Sequence, residues 1–201
     1  MLKRGLGAGA GSELVAISKV YSEILKAKSN ENNNMSCLNL HIQDVADYSS
    51  VLSLLECTIR NELSLTPSNF QTVYKVFDIL SPLSSDSSYI QSADLISAFY
   101  LLNELFTTSK KSTLLFIARL LSLMKSGAYF FVIDSAGSFS HVSVGTNDRN
   151  YMIFTVLDGL KGWKCVYGED SKWFRYSSGS ERYYPRRLQN MRQMIRLYQK
   201  L

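Results

Sequence analysis

Residues 4–13 read Arg-Gly-Leu-Gly-Ala-Gly-Ala-Gly-Ser-Glu, and an apolar helical pattern follows at once in residues 14–21. Alternating glycines let the backbone approach a bound molecule without Cβ clashes. The N–H groups in the first turn of the following helix then face that molecule. This run predicts a cofactor-binding turn between the first strand and first helix of an α/β domain, with a doubly wound, mostly parallel sheet of Rossmann-like type.

The glycine run begins unusually close to residue 1. Only Met1 to Arg4 precede it, so the first strand is expected to be truncated and almost absent. That strand would be central in the sheet, and its loss would leave backbone groups of the flanking strands unpaired. We therefore expect this chain to lack the N-terminal part of a longer protein.

The composition predicts one folded domain over residues 1–201, because 46% of the residues are hydrophobic. The polar, Asn-rich residues 26–36 predict a loop insertion. No apolar stretch reaches the length of a bilayer-spanning helix, and glycines stand where the core of a signal peptide would be. We therefore expect no membrane segment.

The three cysteines, Cys37, Cys57 and Cys165, are widely spaced and form no CxxC pair. Reduced thiols in an intracellular protein are the expected state. His41 and His141 complete no zinc-ligand spacing, so no metal site is predicted.

The net charge of +5 is uneven, since residues 161–201 hold ten Lys or Arg against three acids. Aromatic residues are interleaved with these basic residues. The pattern is consistent with nucleic-acid binding. It is also consistent with a solvated basic surface over aromatic core positions, which composition alone slightly favours.

Apolar periodicity predicts strands at 37–42, 70–77, 93–99 and 128–133, and helices at 48–63, 111–125 and 150–160. Residues 163–168 and 173–176 favour strands or a hairpin, 80–92 a Ser-rich loop, and 188–200 either a helix or a last strand. The predicted inward positions are Val51, Leu54, Leu55 and Ile59 in one helix and Leu114, Ile117, Leu121 and Met124 in another. Alternating strands and helices predict parallel pairing with right-handed crossovers.

Two acids follow predicted strands. Asp44 ends the second strand, where an acid can bind ribose hydroxyls; alternatively, it caps the following helix. Asp78 ends the third strand, where an acid can meet an adenine amino group; alternatively, it is a turn residue.

Residues 93–144 narrow the choice of cofactor. They show a strand opened by Ala-Asp-Leu-Ile, a Leu-Asn-Glu-Leu-Phe turn, a helix, Lys-Ser-Gly and a strand ending in Ile-Asp-Ser. This order resembles the second half of class I S-adenosylmethionine methyltransferases, and more closely the fungal 25S rRNA uridine-N3 methyltransferase family. The glycine run, residues 171–176 (Ser-Lys-Trp-Phe-Arg-Tyr) and residues 184–192 (Tyr-Pro-Arg-Arg-Leu-Gln-Asn-Met-Arg) extend the resemblance over nearly the whole chain.

The resemblance implies a seven-stranded sheet, S-adenosylmethionine as methyl donor, and N3 of a uridine in large-subunit rRNA, or in a pre-ribosome, as target. It also implies a nuclear or nucleolar and cytoplasmic location. By position, Gly7, Gly9 and Gly11 would lie against the methionine part of the cofactor, Asp44 would take the ribose, Asp78 and Ile79 the adenine, and Phe99 and Tyr100 the reaction mouth.

Uracil N3–H must lose its proton before or during methyl transfer, so a base or acceptor is needed. Candidates are Glu104, Asp134 and His141, with Glu104 preferred. Asn103 is a second catalytic candidate, since its side chain can hydrogen-bond the uracil edge or cap the helix it opens.

Aromatic and basic residues near the C-terminus can bind RNA by stacking and phosphate pairing. The candidates are Trp173, Arg175, Arg186, Arg187 and Arg192. Alternatively, Trp173 anchors the core. Two other functions remain open: a catalytically inactive cofactor-fold module, and a methyltransferase for a protein or a small molecule.

Overall fold

A computed structural model describes residues 2–6, 9, 11–28, 37–81, 87–137, 139–143, 150–177, 179 and 187–201. Nine strands and six helices are formed within these ranges. The strands are β1 (Leu2–Leu6), β2 (Leu38–Asp44), β3 (Phe70–Val76), β4 (Leu95–Phe99), β5 (Tyr129–Ser135), β6 (Phe139–Ser143), β7 (Asn150–Met152), β8 (Trp163–Phe174) and β9 (Met191–Lys200). The helices are α1 (Ser12–Lys28), α2 (Ser49–Leu63), α3 (Ser87–Ser92), α4 (Leu102–Thr108), α5 (Lys110–Leu123) and α6 (Ile153–Asp158).

Seven strands form one sheet in the order β3-β2-β1-β4-β5-β9-β8. The first five strands in this order are parallel, whereas β9 pairs antiparallel with both β5 and β8. β6 and β7 form a separate antiparallel pair. The predicted doubly wound, mostly parallel sheet is confirmed. Its strand order reverses between β1 and β4, and in such sheets ligands bind at the carboxyl ends of the strands on either side of that point.

The first strand is short but formed. Leu2–Leu6 pairs with β2 over five residues, and residues 3–6 pair with β4, which is itself five residues long. The expectation that this strand is almost absent, with its neighbours left unpaired, is therefore wrong. The residues before the glycine run, together with Gly5 and Leu6, are enough to complete both ladders.

The core lies on both faces of the sheet. α1 and α2 cover one face of β1, β2 and β3, around Leu14, Leu40 and Phe70. α3, α4, α5 and α6 cover the opposite face, around Ile96 and Phe130. The strand registers place residue 40 and residue 96 on opposite sides of the sheet, which is the double winding that alternating strands and helices predict.

The predicted inward face of α2 is partly wrong. Val51 and Leu54 are 48% and 73% exposed, whereas Leu52 and Ile59 are buried and Leu55 packs against them. Two apolar stripes at helical spacing compete in this sequence. The stripe through Leu52 and Leu55 is selected because it contacts the glycine turn before α1.

Two short helices were predicted as irregular chain. Residues 87–92 of the predicted Ser-rich loop form α3, because burial of Ile90 in the core stabilises one and a half turns. The predicted turn at 102–106 is helical and belongs to α4. In α5 the buried positions are Thr113, Phe116, Ile117 and Leu120, while Leu114 and Leu121, predicted inward, are only partly buried.

The C-terminal third also differs from the prediction. Only Ile153–Asp158 of the predicted helix 150–160 is helical, since residues 150–152 pair with β6. The two predicted strands after residue 163 are one strand, β8, and the ambiguous last segment is the strand β9. Within the predicted insertion, residues 26–28 are the last turn of α1, and residues 29–36 lie outside the described ranges. Among the described residues, no helix is long and apolar enough to cross a bilayer.

Candidate functional site

A cavity of about 1000 Å³ opens at the carboxyl ends of the parallel strands. Loops after β1, β2, β3 and β4 form its walls, so the cavity lies at the point where the strand order reverses. Its described lining is Gly9, Ser12, Glu13, Ala16, Gln43, Asp44, Val45, Ala46, Tyr48, Phe77, Asp78, Ile79, Leu80, Phe99, Tyr100, Leu101, Glu104, Leu105, Thr108, Ile133, Phe174 and Gln193. The volume is at the upper end of the usual range for small-molecule sites.

The glycine turn forms one wall, and its two described glycines have different surroundings. Gly9 lines the cavity with φ +48°. Gly11 has φ +105° and packs away from the cavity, where an added Cβ would come within 2.7 Å of Leu55 Cδ2 and 2.9 Å of Leu52 Cδ2. Gly11 therefore allows α1 and α2 to approach each other. Gly7 lies outside the described residues.

Asp44 connects this wall to the end of β2. Its Oδ2 accepts a 2.9 Å hydrogen bond from the N–H of Gly9, and its Oδ1 accepts one of 2.9 Å from the N–H of Ala46. The N–H of Ser49, the first residue of α2, donates to Asp47 and not to Asp44. Asp44 therefore faces the cavity and orients the glycine turn.

Glu13 is the most deeply buried acid of the cavity, at 2% exposure. Its Oε2 accepts a 2.7 Å hydrogen bond from the hydroxyl of Ser12. Burial raises the pKa of this carboxyl and the charge of Asp44 adds to the rise, although the Ser12 hydrogen bond opposes both. A carboxylate in this environment favours a cationic neighbour.

Asp78 and Ile79 follow β3 and form the next part of the wall. Asp78 Oδ1 accepts from the N–H of Leu80 at 2.9 Å, so Asp78 is also the turn residue of the alternative interpretation. Beside this turn, Gln43 Nε2 donates to the carbonyl of Phe77 and ties the end of β2 to the chain that follows β3.

Phe99 and Tyr100 lie at the end of β4. Tyr100 has φ +54°, a left-handed backbone that is costly for a residue with a side chain and that occurs often at functional sites. Its hydroxyl donates to Oε1 of Gln193 at 2.7 Å, across to β9. Burial raises the pKa of Tyr100, and the charge of the nearby Asp134 adds to this rise.

The two catalytic candidates differ in position. Glu104 lines the cavity and is exposed. Asn103 is bound through its backbone N–H to Oδ2 of Asp134 at 3.1 Å. Asp134 is buried, and its Oδ1 accepts from the N–H of Ser135. Oδ2 of Asp134 thus holds the start of α4, and Oδ1 binds the backbone at the end of β5. The side chain of His141 lies outside the described part of the structure.

The end of β8 brings aromatic side chains to the cavity mouth. Phe174 lines the cavity and contacts Tyr176 edge-on, with 5.1 Å between ring centroids. Trp173 is 55% exposed, and the guanidinium of Arg192 lies 5.8 Å from the centre of its indole. The interpretation of Trp173 as a core anchor is therefore wrong.

Arg192 also donates to the hydroxyl of Ser171, at 2.6 Å. Arg175 and Arg187 are exposed, and Arg186 lies outside the described residues. The predicted basic and aromatic surface is therefore present at Trp173 and Arg192, beside the cavity and not within it.

The cavity is strongly acidic. Four carboxylates line its described part, and no Lys, Arg or His does: the four are Glu13, Asp44, Asp78 and Glu104. Carboxylates of one sign in a cleft raise the local concentration of cations. A ligand that carries positive charge and offers hydroxyl and amino groups suits this lining.

The profile of a family described as "Putative SAM-dependent methyltransferase" matches residues 4–199. The chain belongs to this family. S-adenosylmethionine, the cofactor of these methyltransferases, is a sulfonium cation with a ribose and an adenine, and the acids at the ends of β2 and β3 fit these groups. Among the described residues, no cluster of three or more His, Cys, Asp or Glu suits a metal ion.

One relative of this chain is the 25S rRNA (uridine(2843)-N(3))-methyltransferase of Saccharomyces cerevisiae, 31% identical over 97% of the chain. The chain spans 59% of the length of that relative.

Two solved structures share the fold. A SAM-dependent methyltransferase from Methanosarcina mazei has a TM-score of 0.56 and 14% identity, over 100% of this chain and 92% of its own. A variant of the 16S rRNA (adenine(1408)-N(1))-methyltransferase of Catenulisporales acidiphilia, solved with its cosubstrate, has a TM-score of 0.52 and 12% identity, over 100% of this chain and 85% of its own. These likenesses confirm the class I methyltransferase fold.

Seven of the residues predicted to bind the cofactor or to act in catalysis meet at the cavity. They are Gly9, Asp44, Asp78, Ile79, Phe99, Tyr100 and Glu104. Sequence reasoning did not assign Glu13, Phe174 or Gln193. An acid in the first turn of the helix after the glycine run was a usable signal for Glu13. Phe174 and Gln193 reach the cavity only through the pairing of β8 and β9 with the sheet, which local patterns do not show.

Proposed function

We propose that this chain is the catalytic part of a methyltransferase that transfers a methyl group from S-adenosylmethionine to N3 of a uridine in large-subunit rRNA. The observation that carries the proposal is the shared cavity: the glycine turn, Asp44 and Asp78 lie on one side, and Glu104, Tyr100 and Phe174 on the other. The resemblance to the yeast uridine-N3 methyltransferase favours this target. We expect the protein in the nucleolus and cytoplasm, where large-subunit rRNA matures.

The first side of the cavity is suited to the cofactor. The turn at Gly9 would lie against its methionine part, Asp44 would accept from the ribose hydroxyls, and Asp78 with Ile79 would hold the adenine. Each oxygen of Asp44 already accepts one backbone N–H, and a carboxylate oxygen can accept a second hydrogen bond. The cofactor supplies a methyl group activated by its sulfonium.

The second side of the cavity is suited to the base. Tyr100 and Phe174 offer rings at the mouth, against which a flipped-out uracil can stack. The hydrogen bond from the Tyr100 hydroxyl to Gln193 Oε1 leaves the amide NH₂ of Gln193 to donate to a uracil carbonyl. Trp173 and Arg192 would bind neighbouring nucleotides by stacking and phosphate pairing.

Glu104 is the proposed proton acceptor. During transfer, the bond between N3 and the methyl carbon forms, the bond between sulfur and that carbon breaks, and the N3 proton passes to a base. Asp134 is the less suitable acceptor because its side chain is buried and is not part of the described cavity lining. Glu104 is exposed at the cavity, so its carboxylate is accessible to a bound base.

The test is methylation of large-subunit rRNA with radiolabelled S-adenosylmethionine, followed by mass spectrometry of the nucleosides. We expect label in 3-methyluridine, and a loss of roughly 10²-fold or more in kcat for Glu104→Gln. Glu62→Gln, an exposed charge change on α2, is the matched control and should leave kcat unchanged. Label in another nucleoside or in protein would overturn the target, whereas cofactor binding without transfer would favour an inactive module.

A further inference from the structure

Glu13 stands apart from the other three acids of the cavity because its side chain is buried. Asp78 and Glu104 are exposed to solvent, and Asp44 is half-buried with two backbone N–H donors. Glu13, at 2% exposure, accepts one side-chain hydrogen bond, from Ser12, and makes no ion pair among the described residues. Burial of a carboxylate is costly unless a cation or several donors compensate it.

Within the part of the chain that the structure describes, no Lys, Arg or His lines the cavity around Glu13. Several acids in other parts of the fold form ion pairs: Glu56 with Arg60, Asp94 with Lys125, and Asp158 with Arg196. The described lining around Glu13 instead adds a second negative charge, that of Asp44, which raises the pKa of Glu13 further. The missing positive partner of Glu13 is therefore a group of the ligand.

The position of Glu13 along the cavity selects the ligand group. Asp44 and Asp78 follow β2 and β3, so with the proposed roles of these acids the ribose and adenine would lie on the side of the cavity away from β1. Glu13 lies in the first turn of α1, two residues after Gly11 and next to the glycine turn that faces the amino-acid end. At that end, S-adenosylmethionine and S-adenosylhomocysteine both carry an ammonium group.

We propose that the carboxylate of Glu13 binds the α-ammonium group of the methionine part of the cofactor, and that Ser12 orients this carboxylate through its hydroxyl. This role depends on the cofactor and not on the RNA target. Glu13 is thus a specificity-determining residue for cofactors that retain the amino group. Asp44, in contrast, would bind the ribose of the nucleoside part, which is also present in analogues that lack the amino group.

The test compares three ligands by calorimetry: S-adenosylhomocysteine, its analogue without the amino group, and methylthioadenosine, which lacks the whole amino-acid end. We expect Glu13→Gln to weaken the binding of S-adenosylhomocysteine about tenfold or more, because a charged hydrogen bond is lost. Binding of the two shortened ligands should change by less than about twofold, since they cannot contact Glu13. Glu23→Gln, an exposed change of the same kind on α1, should leave the affinities for all three ligands unchanged.

Two results would overturn the proposal. If Glu13→Gln weakens the binding of all three ligands equally, Glu13 has a structural role in the turn. If the binding of S-adenosylhomocysteine is unchanged, Glu13 does not contact its ammonium group. The melting temperature of the unliganded Glu13→Gln variant shows whether that variant is folded. If it is not, Glu13→Asp provides a second, folded variant, for which the same selective loss of S-adenosylhomocysteine binding is expected. Failure of the wild-type chain to bind any of the ligands would refute the cofactor assignment, whereas failure to methylate uridine would leave this proposal standing.

Discussion

The backbone N–H of Gly9 and the Oδ2 of Asp44 are joined by a 2.9 Å hydrogen bond across 35 residues of sequence. This bond fixes the glycine turn against the end of β2, so the two cofactor-facing elements are held in register before any ligand arrives. Asp44 therefore has two tasks, since the carboxylate that orients the turn also faces the cavity.

Replacement of Asp44 should affect both tasks. Asp44→Ala removes the acceptor of two backbone N–H groups, and we expect the unliganded protein to lose about 1–2 kcal/mol of unfolding free energy. Asp44→Ala should also weaken the binding of S-adenosylhomocysteine and of methylthioadenosine by similar factors. Denaturant unfolding and calorimetry measure the two effects. Asp47→Ala, which removes the acceptor of the Ser49 N–H at the start of α2, is the control that should lower stability without changing either affinity.

The bond from the Tyr100 hydroxyl to Gln193 should matter for RNA and not for the cofactor. Tyr100→Phe keeps the ring and the left-handed backbone but frees the amide of Gln193 to rotate. We expect kcat/KM for rRNA to fall about fivefold to tenfold, equivalent to about 1 kcal/mol, with little change in cofactor affinity. The double variant with Gln193→Ala should be no worse than Gln193→Ala alone. Additive losses would show that the two side chains act separately.

Glu56 predicts a pH dependence of stability. Burial raises the pKa of Glu56, but hydrogen bonds from Thr72, Tyr74 and Arg60 outweigh burial and bring the pKa below its usual value. Because the folded-state pKa is depressed, the stabilisation is complete above the unfolded pKa of about 4.3 and is lost as the pH falls through the folded value.

Melting curves between pH 3 and pH 7 test the role of Glu56. At neutral pH, Glu56→Gln should lower the unfolding free energy by about 1–3 kcal/mol, because Arg60 and Tyr74 lose a charged acceptor. The difference between wild type and variant should shrink below about pH 4.3. A constant difference across this range would show that the charge of Glu56 contributes nothing.

The stacked pair of Trp173 and Arg192 predicts a salt-dependent effect on RNA. Arg192→Met should weaken RNA binding and lower the slope of log affinity against log salt by about 0.7, the value for one phosphate contact on a single strand. Trp173→Ala should weaken binding with little change in that slope, because stacking is uncharged. Cofactor binding should be unchanged in both variants. Equal slopes for wild type and Arg192→Met would exclude a phosphate contact at this position.

Much of the fold follows from local patterns. The glycine run, the alternation of strands and helices, and the acids at the ends of β2 and β3 lead to the observed sheet and to one shared cavity. The errors in the predicted helices have one physical cause, because tertiary contacts decide which residues of a segment are buried. The rotation of α2 depends on the contact of Gly11 with Leu52 and Leu55, and α3 forms because Ile90 is buried.

The missed site residues show the same limit. Tyr100 and Gln193 are 93 positions apart, and they meet because β9 pairs with β5. Phe174 is brought to the cavity by the pairing of β8 with β9. No periodicity within β8 or β9 indicates which side chain reaches the carboxyl ends of strands elsewhere in the sheet. Glu13, in contrast, was visible as an acid beside the glycine run, and only its burial shows its importance.

The position of β9 between β5 and β8 has a consequence for biosynthesis. β8 is made before β9 but cannot join the sheet until Met191–Lys200 has left the ribosome, because among the described strands β8 pairs with β9 alone. Phe174 and Gln193 therefore take their places only after β9 has left the ribosome. A nascent chain held short of that point, or a product of a late stop codon, would keep Tyr100 and Glu104 but would lack Phe174 and Gln193 at the side of the cavity that meets the nucleobase.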